Sequence, residues 1–196
     1  MSHYYENDPN LKSNIKNIDY TYYGNVINYQ VDLGVFSKDR VDFGTNVLLQ
    51  SLPTFTNEKV LDVGCGYGAI GIAIAKVYLN CDVMMCDVNL RAISLTEKNI
   101  KLNNVKNAKV IESNTYENIN DKYDIIITNP PIRAGKKVVM DICLNAIDHL
   151  KEDGKIYIVI NKKHGAESLL KNMKERYKNV DILNKKNGYF IIEGRK

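Results

Sequence analysis

The tetrapeptide Asn129-Pro130-Pro131-Ile132 follows the apolar run YDIIIT and combines residue types that can grip an amine. Two consecutive prolines remove two N–H donors and fix φ at about −65°, so the carbonyls of the segment form a rigid set of acceptors. The Asn129 side-chain oxygen can accept one proton of a planar amino group while the Pro130 carbonyl accepts another. Two such bonds would hold the nitrogen and draw its lone pair out of conjugation, ready to attack an electrophilic methyl group.

A glycine-rich loop is the second group of residues, in the stretch VLDVGCGYGAIG. Glycines at 64, 66 and 68 let a chain turn tightly between a strand and a helix and approach a ligand that a Cβ would exclude. Asp87 comes 23 residues after Gly64, at the end of the next apolar run. Its carboxylate can there accept both hydroxyl protons of a ribose. Together these features predict a nucleoside-binding crevice.

Two cofactors compete for this crevice. A G-x-G-x-x-G spacing that ends at Gly71, with Asp87 further on, matches the fingerprint of NAD-binding proteins. In that fingerprint the first glycine directly follows the strand, whereas here the strand is expected to end at Gly64. Asp62 lies inside the motif, and an acidic side chain suits the ammonium and sulfonium of S-adenosylmethionine (SAM) better than a pyrophosphate. With the amine-gripping tetrapeptide, this favours SAM.

These residues must be positioned by an alternation of strands and helices. Strands separated by helical stretches of about 10–15 residues predict βαβ units, hence a mostly parallel sheet with helices on both faces. In such a sheet, ligands bind beyond the carboxyl ends of the strands. The predicted strands are residues 59–64, 82–87, 108–112, 123–129, 155–161, 180–185 and 189–193, and the predicted helices are 69–78, 89–103, 137–150 and 166–177.

Both ends of the chain depart from this alternation. The segment 20–35 predicts a β-hairpin turning at Gly24-Asn25, and a short apolar helix that Pro53 ends follows it. The last two strands, joined by a turn at Asn187-Gly188, must be antiparallel. We expect one domain over residues 1–196, in which residues 1–57 are an N-terminal hairpin and helix extension and residues 58–196 are the SAM-binding catalytic core.

The motifs DVGCGYG, Asp87 and NPPI together resemble a class I SAM-dependent methyltransferase that acts on an amino nitrogen. The stretch GVFSKDRVDFG…VLDVGCGYGAIG…DVN…TNPPIRAGKK is similar to the RsmC-like guanine-N2 methyltransferases of small-subunit ribosomal RNA. The resemblance runs from His3 to the C-terminus and implies an α/β, Rossmann-like fold with a seven-stranded, mostly parallel sheet whose last strand is antiparallel. It implies in-line methylation of the exocyclic 2-amino group of a guanine, with ribosomal RNA or the small ribosomal subunit as partner.

The resemblance also implies roles for individual residues. Asn129, Pro130, Pro131 and Ile132 would form the catalytic platform. The residues that would contact SAM lie in the glycine loop, at the ribose, at the adenine and in a segment that closes the pocket from the N-terminal side. They are Asp62, Gly64, Cys65, Gly66, Gly68, Asp87, Asn114, Asn129, Phe36, Asp42 and Thr45. Ile132 departs from the Tyr, Phe or Trp that many amino methyltransferases stack on the base, so it offers only apolar contact.

Charge is unevenly distributed along the chain. The net charge is +4, but residues 1–132 carry 12 basic and 15 acidic side chains, whereas residues 133–196 carry 15 and 8. Seven basic residues follow strand ends at the sheet edge expected to hold the site, where they could bind RNA phosphates or be ordinary solvated side chains. They are Arg133, Lys136, Lys137, Lys162, Lys163, Lys185 and Lys186.

The sequence also bears on membrane spans, secretory signals and metal sites. The longest uncharged stretch, residues 43–57, is shorter than the about 20 residues that span a bilayer, and the N-terminus lacks the basic start and apolar core of a secretory signal. The cysteines and histidines show no zinc-ligand spacing, so we expect no metal site and reduced, buried thiols at Cys65 and Cys86. We expect a cytoplasmic protein, with a monomer favoured.

Two alternative functions stay open: a protein-glutamine or adenine amino methyltransferase, and a non-catalytic RNA-binding ribosome-assembly module with a SAM pocket.

Overall fold

Seven strands form one central sheet, and two further strands form a separate hairpin. The computed structural model describes residues 12–37 and 39–196. The strands are β1 (Lys16–Tyr22), β2 (Asn25–Val31), β3 (Lys59–Val63), β4 (Asp82–Asp87), β5 (Ala108–Glu112), β6 (Tyr123–Thr128), β7 (Leu150–Asn161), β8 (Asn179–Lys186) and β9 (Tyr189–Arg195). The helices are α1 (Phe43–Ser51), α2 (Ala69–Val77), α3 (Leu90–Leu102), α4 (Lys136–Asn145) and α5 (Ala166–Arg176). Within the described ranges, no helix has the length and apolar character needed to cross a bilayer.

The strand order of the central sheet is β5-β4-β3-β6-β7-β9-β8. Neighbours from β5 to β7 are parallel, whereas β9 runs antiparallel to both β7 and β8. The chain moves outward from β3 through β4 to β5 and then returns to the other side of β3 with β6, so the order reverses between β3 and β6. This confirms the predicted Rossmann-like α/β fold, including the antiparallel last strand and the N-terminal hairpin.

Apolar side chains of the sheet alternate between two buried faces. In β6, Ile125 and Ile127 pack with the hairpin, α1, α2 and α3, whereas Ile126 packs with α4 and α5. Because both faces are covered, the central strands read as nearly continuous apolar runs. Cys65 and Cys86 lie inside this core as free thiols, as predicted.

Helix α3 covers the edge of β2 that does not pair with β1. The Gln30 N–H donates to Asn99 Oδ1 (2.7 Å) and Asn99 Nδ2 donates to the Gln30 carbonyl (3.0 Å). Asn103 makes the same pair of bonds with Asn28, at 2.9 and 2.7 Å. Asn99 Nδ2 also donates to the carbonyl of Tyr67 in the glycine loop (2.9 Å). One helix therefore fastens both the hairpin and the loop.

The hairpin turn differs from the prediction by one residue. Tyr22 pairs with Asn25, so the turn is Tyr23-Gly24 rather than Gly24-Asn25. Tyr23 and Gly24 have φ values of 45° and 75°, the left-handed conformations that a tight two-residue turn requires. Tyrosine seldom adopts this conformation, so the local sequence pattern does not indicate Tyr23 as a turn residue.

The boundary between α4 and β7 also differs from the prediction. The predicted helix 137–150 becomes α4 followed by a 3₁₀ turn over Ala146–His149, and Leu150 already pairs with Tyr123. The strand expected from residue 155 therefore begins five residues earlier. The turn-like sequence before Lys155 forms an irregularity in the strand, where Asp153 has a φ of 59°. The predicted turn at Asn187-Gly188 is confirmed.

The substitution Asn99→Ala tests the role of α3. It removes three hydrogen bonds and leaves backbone groups of Gln30 and Tyr67 without partners. Since each buried polar group left unsatisfied costs about 1–3 kcal/mol, we expect the free energy of unfolding to fall by about 2–4 kcal/mol. Urea denaturation measures this change. The exposed Asn120→Ala is the matched control, expected within about 0.5 kcal/mol of wild type; equal losses for the two variants would contradict the assignment.

Candidate active site

The glycine loop and the proline tetrapeptide lie side by side because β3 and β6 are parallel neighbours. Asp62 of β3 pairs with Ile127 of β6, so the segments that follow both strands emerge together. A Cβ on Gly64 would lie 3.7 Å from Pro131 Cδ, whereas one on Gly66 would meet no heavy atom within 4 Å. Both glycines have positive φ, 73° and 59°. The loop therefore keeps an open backbone surface that a side chain would fill, as a closely bound ligand requires.

A cavity of about 670 Å³ opens between these two segments. Small-molecule sites commonly have volumes of roughly 300–1,000 Å³, so the cavity is large enough for a nucleoside cofactor and a substrate group. Most of the predicted site residues lie in its wall. They are Phe36, Asp42, Thr45, Gly64, Cys65, Gly66, Asp87, Asn114, Asn129, Pro130, Pro131, Ile132 and Arg133.

Asp87 supports the glycine loop from the end of the neighbouring strand. The Gly66 N–H donates to Asp87 Oδ2 (2.8 Å), and the Asn89 N–H donates to Oδ1 (2.9 Å). Burial raises the pKa of this carboxyl, and the backbone N–H groups oppose the rise. A carboxylate oxygen can accept more than one hydrogen bond. Asp87 can therefore hold the loop and still receive hydroxyl protons from a ribose in the cavity.

Asp62 lies behind the glycine loop and not in the cavity wall. Its side chain is fully buried, Oδ2 accepts the Gly71 N–H (2.9 Å), and Oδ1 has no partner among the described residues. Burial raises the pKa of Asp62 to about 7. The expectation that this carboxylate faces a cationic ligand therefore needs correction: it fastens the first turn of α2. Gly68 also lies outside the wall, where a Cβ would come within 2.7 Å of Ile72 Cδ1.

Asn114 and Phe36 are exposed residues of the cavity wall. Asn114 is exposed, and its Nδ2 donates to Glu117 Oε1 (2.9 Å), which leaves the carboxamide oxygen as an acceptor for an amino group. Phe36 is 41% exposed and belongs to a segment held against α3, where Asn89 Nδ2 donates to the Gly34 carbonyl (3.0 Å). These positions suit contacts with the base of a bound nucleoside.

Asn129 is held by the segment that begins α1. Its Nδ2 donates to Thr45 Oγ1 (2.9 Å) and lies 3.4 Å from Asp42 Oδ2. The Pro131 carbonyl accepts the Ala134 N–H (2.9 Å). Within residues 12–37 and 39–196, no donor reaches Asn129 Oδ1 or the Pro130 carbonyl. These are the two acceptors that the sequence assigns to an amine.

Several residues of the cavity wall are not among those predicted from the sequence. Asn161 ends β7 and Tyr189 begins β9, and the two are paired across the strands. His164 follows in the turn after β7 and also lines the cavity. The strand-end rule could have found Asn161. Tyr189 is brought there only by the antiparallel pairing of β9, which no local pattern reveals.

The seven basic residues lie at the edge of the sheet that holds the cavity. The register places Asn161, Tyr189 and Lys186 next to one another, so the end of β8 meets the end of β7. Ion pairs partly neutralise two of the seven: Lys137 lies 2.7 Å from Asp141, and Lys162 lies 3.4 Å from Glu167. All seven side chains are exposed, namely those of Arg133, Lys136, Lys137, Lys162, Lys163, Lys185 and Lys186.

Comparison with known proteins identifies the family to which this fold and cavity belong. The family model of the methyltransferase small domain matches residues 27–193, from β2 to β9. The chain belongs to the methyltransferase small domain family. This match confirms the resemblance to class I methyltransferases that the sequence motifs carry.

Relatives of the methyltransferase match it to different extents. It is 40% identical over 99% of its length to the uncharacterized protein YbxB of Bacillus subtilis and covers 98% of that protein. It is 35% identical over 132 residues to ribosomal RNA small subunit methyltransferase C of Escherichia coli, which is 65% of this chain and 38% of that protein.

One solved structure matches nearly the whole fold. It is the 16S rRNA N2 methyltransferase RsmC of T. thermophilus in complex with AdoMet and guanosine, with a TM-score of 0.84 and 26% identity. The match covers 96% of this chain and 52% of that chain. The methyltransferase therefore spans about half or less of the length of these two RNA methyltransferases.

The substitution Asp62→Asn tests the energetic cost of the buried carboxyl. It keeps an oxygen that can accept the Gly71 N–H but removes the titrating group. The pKa of Asp62 is about 7 in the folded chain, above the ordinary value of 3.8, so the folded chain binds more protons than the unfolded chain between these pH values. Asp62 therefore lowers stability progressively as the pH rises through this window.

We compare the variant with wild type by the difference in their unfolding free energies, variant minus wild type. We expect this difference to increase by about 2–3 kcal/mol from pH 5 to pH 8. Urea denaturation at a series of pH values measures the difference. The exposed Asp181→Asn serves as the control for the removal of a carboxylate from the surface. A difference for Asp62→Asn that does not change with pH would contradict the raised pKa.

Proposed function

We propose that this methyltransferase transfers a methyl group from SAM to the exocyclic 2-amino group of a guanine in small-subunit ribosomal RNA. The observation that carries the proposal is a pair of acceptors to which no described residue donates, Asn129 Oδ1 and the Pro130 carbonyl, on two residues that line the same cavity as the open glycine loop. The presence of AdoMet and guanosine in the related RsmC structure supports the same two ligands here.

The residues around the glycine loop fit SAM as the methyl donor. Gly64 and Gly66 leave the backbone open to a ligand, Asp87 would accept the ribose hydroxyl protons, and Asn114 would accept from the adenine amino group. When bound, SAM supplies an electrophilic methyl group attached to a sulfonium. The tasks of the chain are then to place the substrate nitrogen in line with that methyl group and to keep it there.

The tetrapeptide performs this placement. Asn129 Oδ1 and the Pro130 carbonyl accept the two amino protons, so they hold the nitrogen and turn its lone pair out of the plane of the base. As the nitrogen gains positive charge, the two carbonyl dipoles stabilise it without rearranging. No side chain is assigned as a general base, because the methylated nitrogen is acidic enough to release its proton to water.

The cavity wall that would receive the base combines apolar and aromatic side chains. Ile132 contributes apolar surface, and the rings of Tyr189 and His164 line the same cavity. Aromatic rings stack on unpaired bases in RNA recognition, so these two rings could take the role that an aromatic residue at position 132 has in other amino methyltransferases. The target guanine must be unpaired or flipped out of its helix to reach the platform.

Methyl transfer with labelled SAM tests the proposal directly. Purified enzyme is incubated with small ribosomal subunits, and RNA and protein are then separated and digested. We expect the label in RNA, as N2-methylguanosine. Label confined to protein would overturn the RNA assignment in favour of a glutamine methyltransferase, and label in methyladenosine would overturn the guanine assignment. Binding of RNA and SAM without any transfer would indicate a non-catalytic assembly module.

Removing the amide acceptor tests the mechanism. We expect Asn129→Ala to lower kcat by at least about 100-fold, since the loss of one preorganised partner of the developing charge commonly costs that much. SAM affinity, measured by calorimetry, should change by less than about threefold. The exposed Asn120→Ala is the matched control and should retain wild-type activity. A normal rate for Asn129→Ala would contradict the assigned role.

We also propose that the basic edge binds RNA phosphates, and charge-neutralising variants test this. Lys163→Gln with Lys186→Gln should weaken RNA binding and reduce the slope of log affinity against log salt by about 1.5, because each phosphate contact adds about 0.7–0.9 to that slope. Lys171→Gln with Lys174→Gln on α5, also exposed, is the matched control that removes equal charge elsewhere. Equal salt dependence in the two double variants would mean that the edge is not an RNA surface.

A further inference from the structure

The orientation of the Asn129 carboxamide decides whether the site can receive an amine. Its oxygen accepts an N–H group, whereas its NH₂ group would meet the substrate amine donor to donor. A half-turn about the last side-chain bond exchanges the two atoms with little change in shape. Something in the site must therefore select one orientation.

Two acceptors from the start of α1 contact the nitrogen side of this carboxamide. Thr45 Oγ1 accepts from Asn129 Nδ2 at 2.9 Å. Asp42 Oδ2 lies 3.4 Å from the same nitrogen. This carboxylate oxygen is itself fixed, because it caps α1 by accepting the N–H groups of Gly44 (2.9 Å) and Thr45 (3.3 Å).

The two acceptors have different effects on the orientation. A hydroxyl alone does not select it, since Thr45 can donate to an oxygen as readily as it accepts from a nitrogen. A carboxylate only accepts, so a reversed Asn129 would place its oxygen against Asp42 Oδ2 and be repelled. Asp42 therefore selects the orientation, and the shorter bond to Thr45 holds it.

Gly44 allows the capping segment to come this close. A Cβ on Gly44 would lie 2.9 Å from Tyr189 Cε1 and 3.0 Å from Asp42 Oδ2. Any larger residue would push either the Tyr189 ring or the Asp42 carboxylate away. Thr45 is only 4% exposed, so the residue that holds Asn129 is itself packed in place. The short sequence Asp42-Phe43-Gly44-Thr45 thus forms a rigid support behind the tetrapeptide.

We propose that Asp42 and Thr45 are positioning residues for methyl transfer, which hold the Asn129 carboxamide with its oxygen towards the substrate amine. The proposal rests on the function proposed above for Asn129. An amide that donates to a carboxylate is polarised, so its oxygen carries more negative charge. Such an oxygen binds an amine more strongly as that amine becomes positive. This role differs from the SAM contact that the sequence resemblance implies for both residues.

Kinetics of three variants test the positioning role. Thr45→Val keeps the shape but removes the acceptor, and Asp42→Asn keeps a helix cap but replaces the group that only accepts. We expect kcat to fall about 10-fold for Thr45→Val and about 10- to 100-fold for Asp42→Asn, because misplacing a group that orients the substrate costs up to about 100-fold. Thr45→Ser, which keeps the hydroxyl, should stay within about threefold of wild type. SAM affinity should be nearly unchanged in all three.

Two outcomes of this assay would overturn the proposal. One is a loss of SAM affinity that parallels the loss of kcat, which would make Asp42 and Thr45 cofactor contacts. The other is an equal loss of kcat in Thr45→Val and Thr45→Ser, since a general packing defect would not be rescued by the hydroxyl. Thr21→Val, at an exposed position of β1, is the matched control and should retain wild-type kcat.

A second measurement separates this proposal from the proposed function. In a ¹⁵N-labelled sample, the Asn129 side-chain amide is the NH₂ pair of NMR signals that disappears in Asn129→Ala. We expect this pair to shift and to exchange faster with water in Thr45→Val than in wild type. An unchanged pair would overturn the positioning role even if RNA is methylated. A shifted pair in an enzyme that does not methylate RNA would overturn the substrate assignment and leave the positioning contact in place.

Discussion

The parallel pairing of β3 with β6 is the constraint on which the site depends. Because Asp62 and Ile127 are register partners, the loop after β3 and the tetrapeptide after β6 leave the sheet at one edge. Pairing of β4 with β3 adds Asp87 on one side, and pairing of β7 with β6 adds Asn161 on the other. A one-residue slip in any of these pairs would turn the strand-end side chains to the opposite face of the sheet.

The sequence was informative about residues that lie within a few positions of a strand end. Gly64, Asp87 and Asn129 line the cavity as expected, because the rule that ligands bind at strand carboxyl ends needs only local patterns. The sequence was not informative about the direction in which a side chain points. Asp62 shares the motif with Gly64, yet its side chain points behind the loop towards α2, and only the packing of that helix decides this. Contacts between distant segments were also missed: Asp42 meets Asn129 across 87 positions of the chain.

The N-terminal hairpin and the segment that follows it make several polar contacts with the rest of the fold. The carboxamides of Asn99 in α3 and of Asn103, which caps that helix, take the place of a partner strand on the second edge of β2. An ion pair of 3.2 Å joins Arg91 of the same helix to Asp32 after β2. Since Asp32 is nearly buried, this pair is less screened by solvent than one on the surface. The same extension then delivers α1, whose first residues stand directly behind Asn129. The extension therefore makes polar contacts both with α3 and with Asn129.

Strand β8 is an edge strand of the sheet, and nearly all of its side chains are exposed. An uncovered edge strand presents unpaired backbone groups to which a strand of another molecule can add, and lysines at such an edge oppose this association. Lys185 and Lys186 occupy that edge. If this edge binds RNA as proposed, the two lysines both attract polyanions and oppose self-association. A neutral residue at either position would do neither, so the basic character of this edge would have a physical reason to persist even if the RNA surface lay elsewhere.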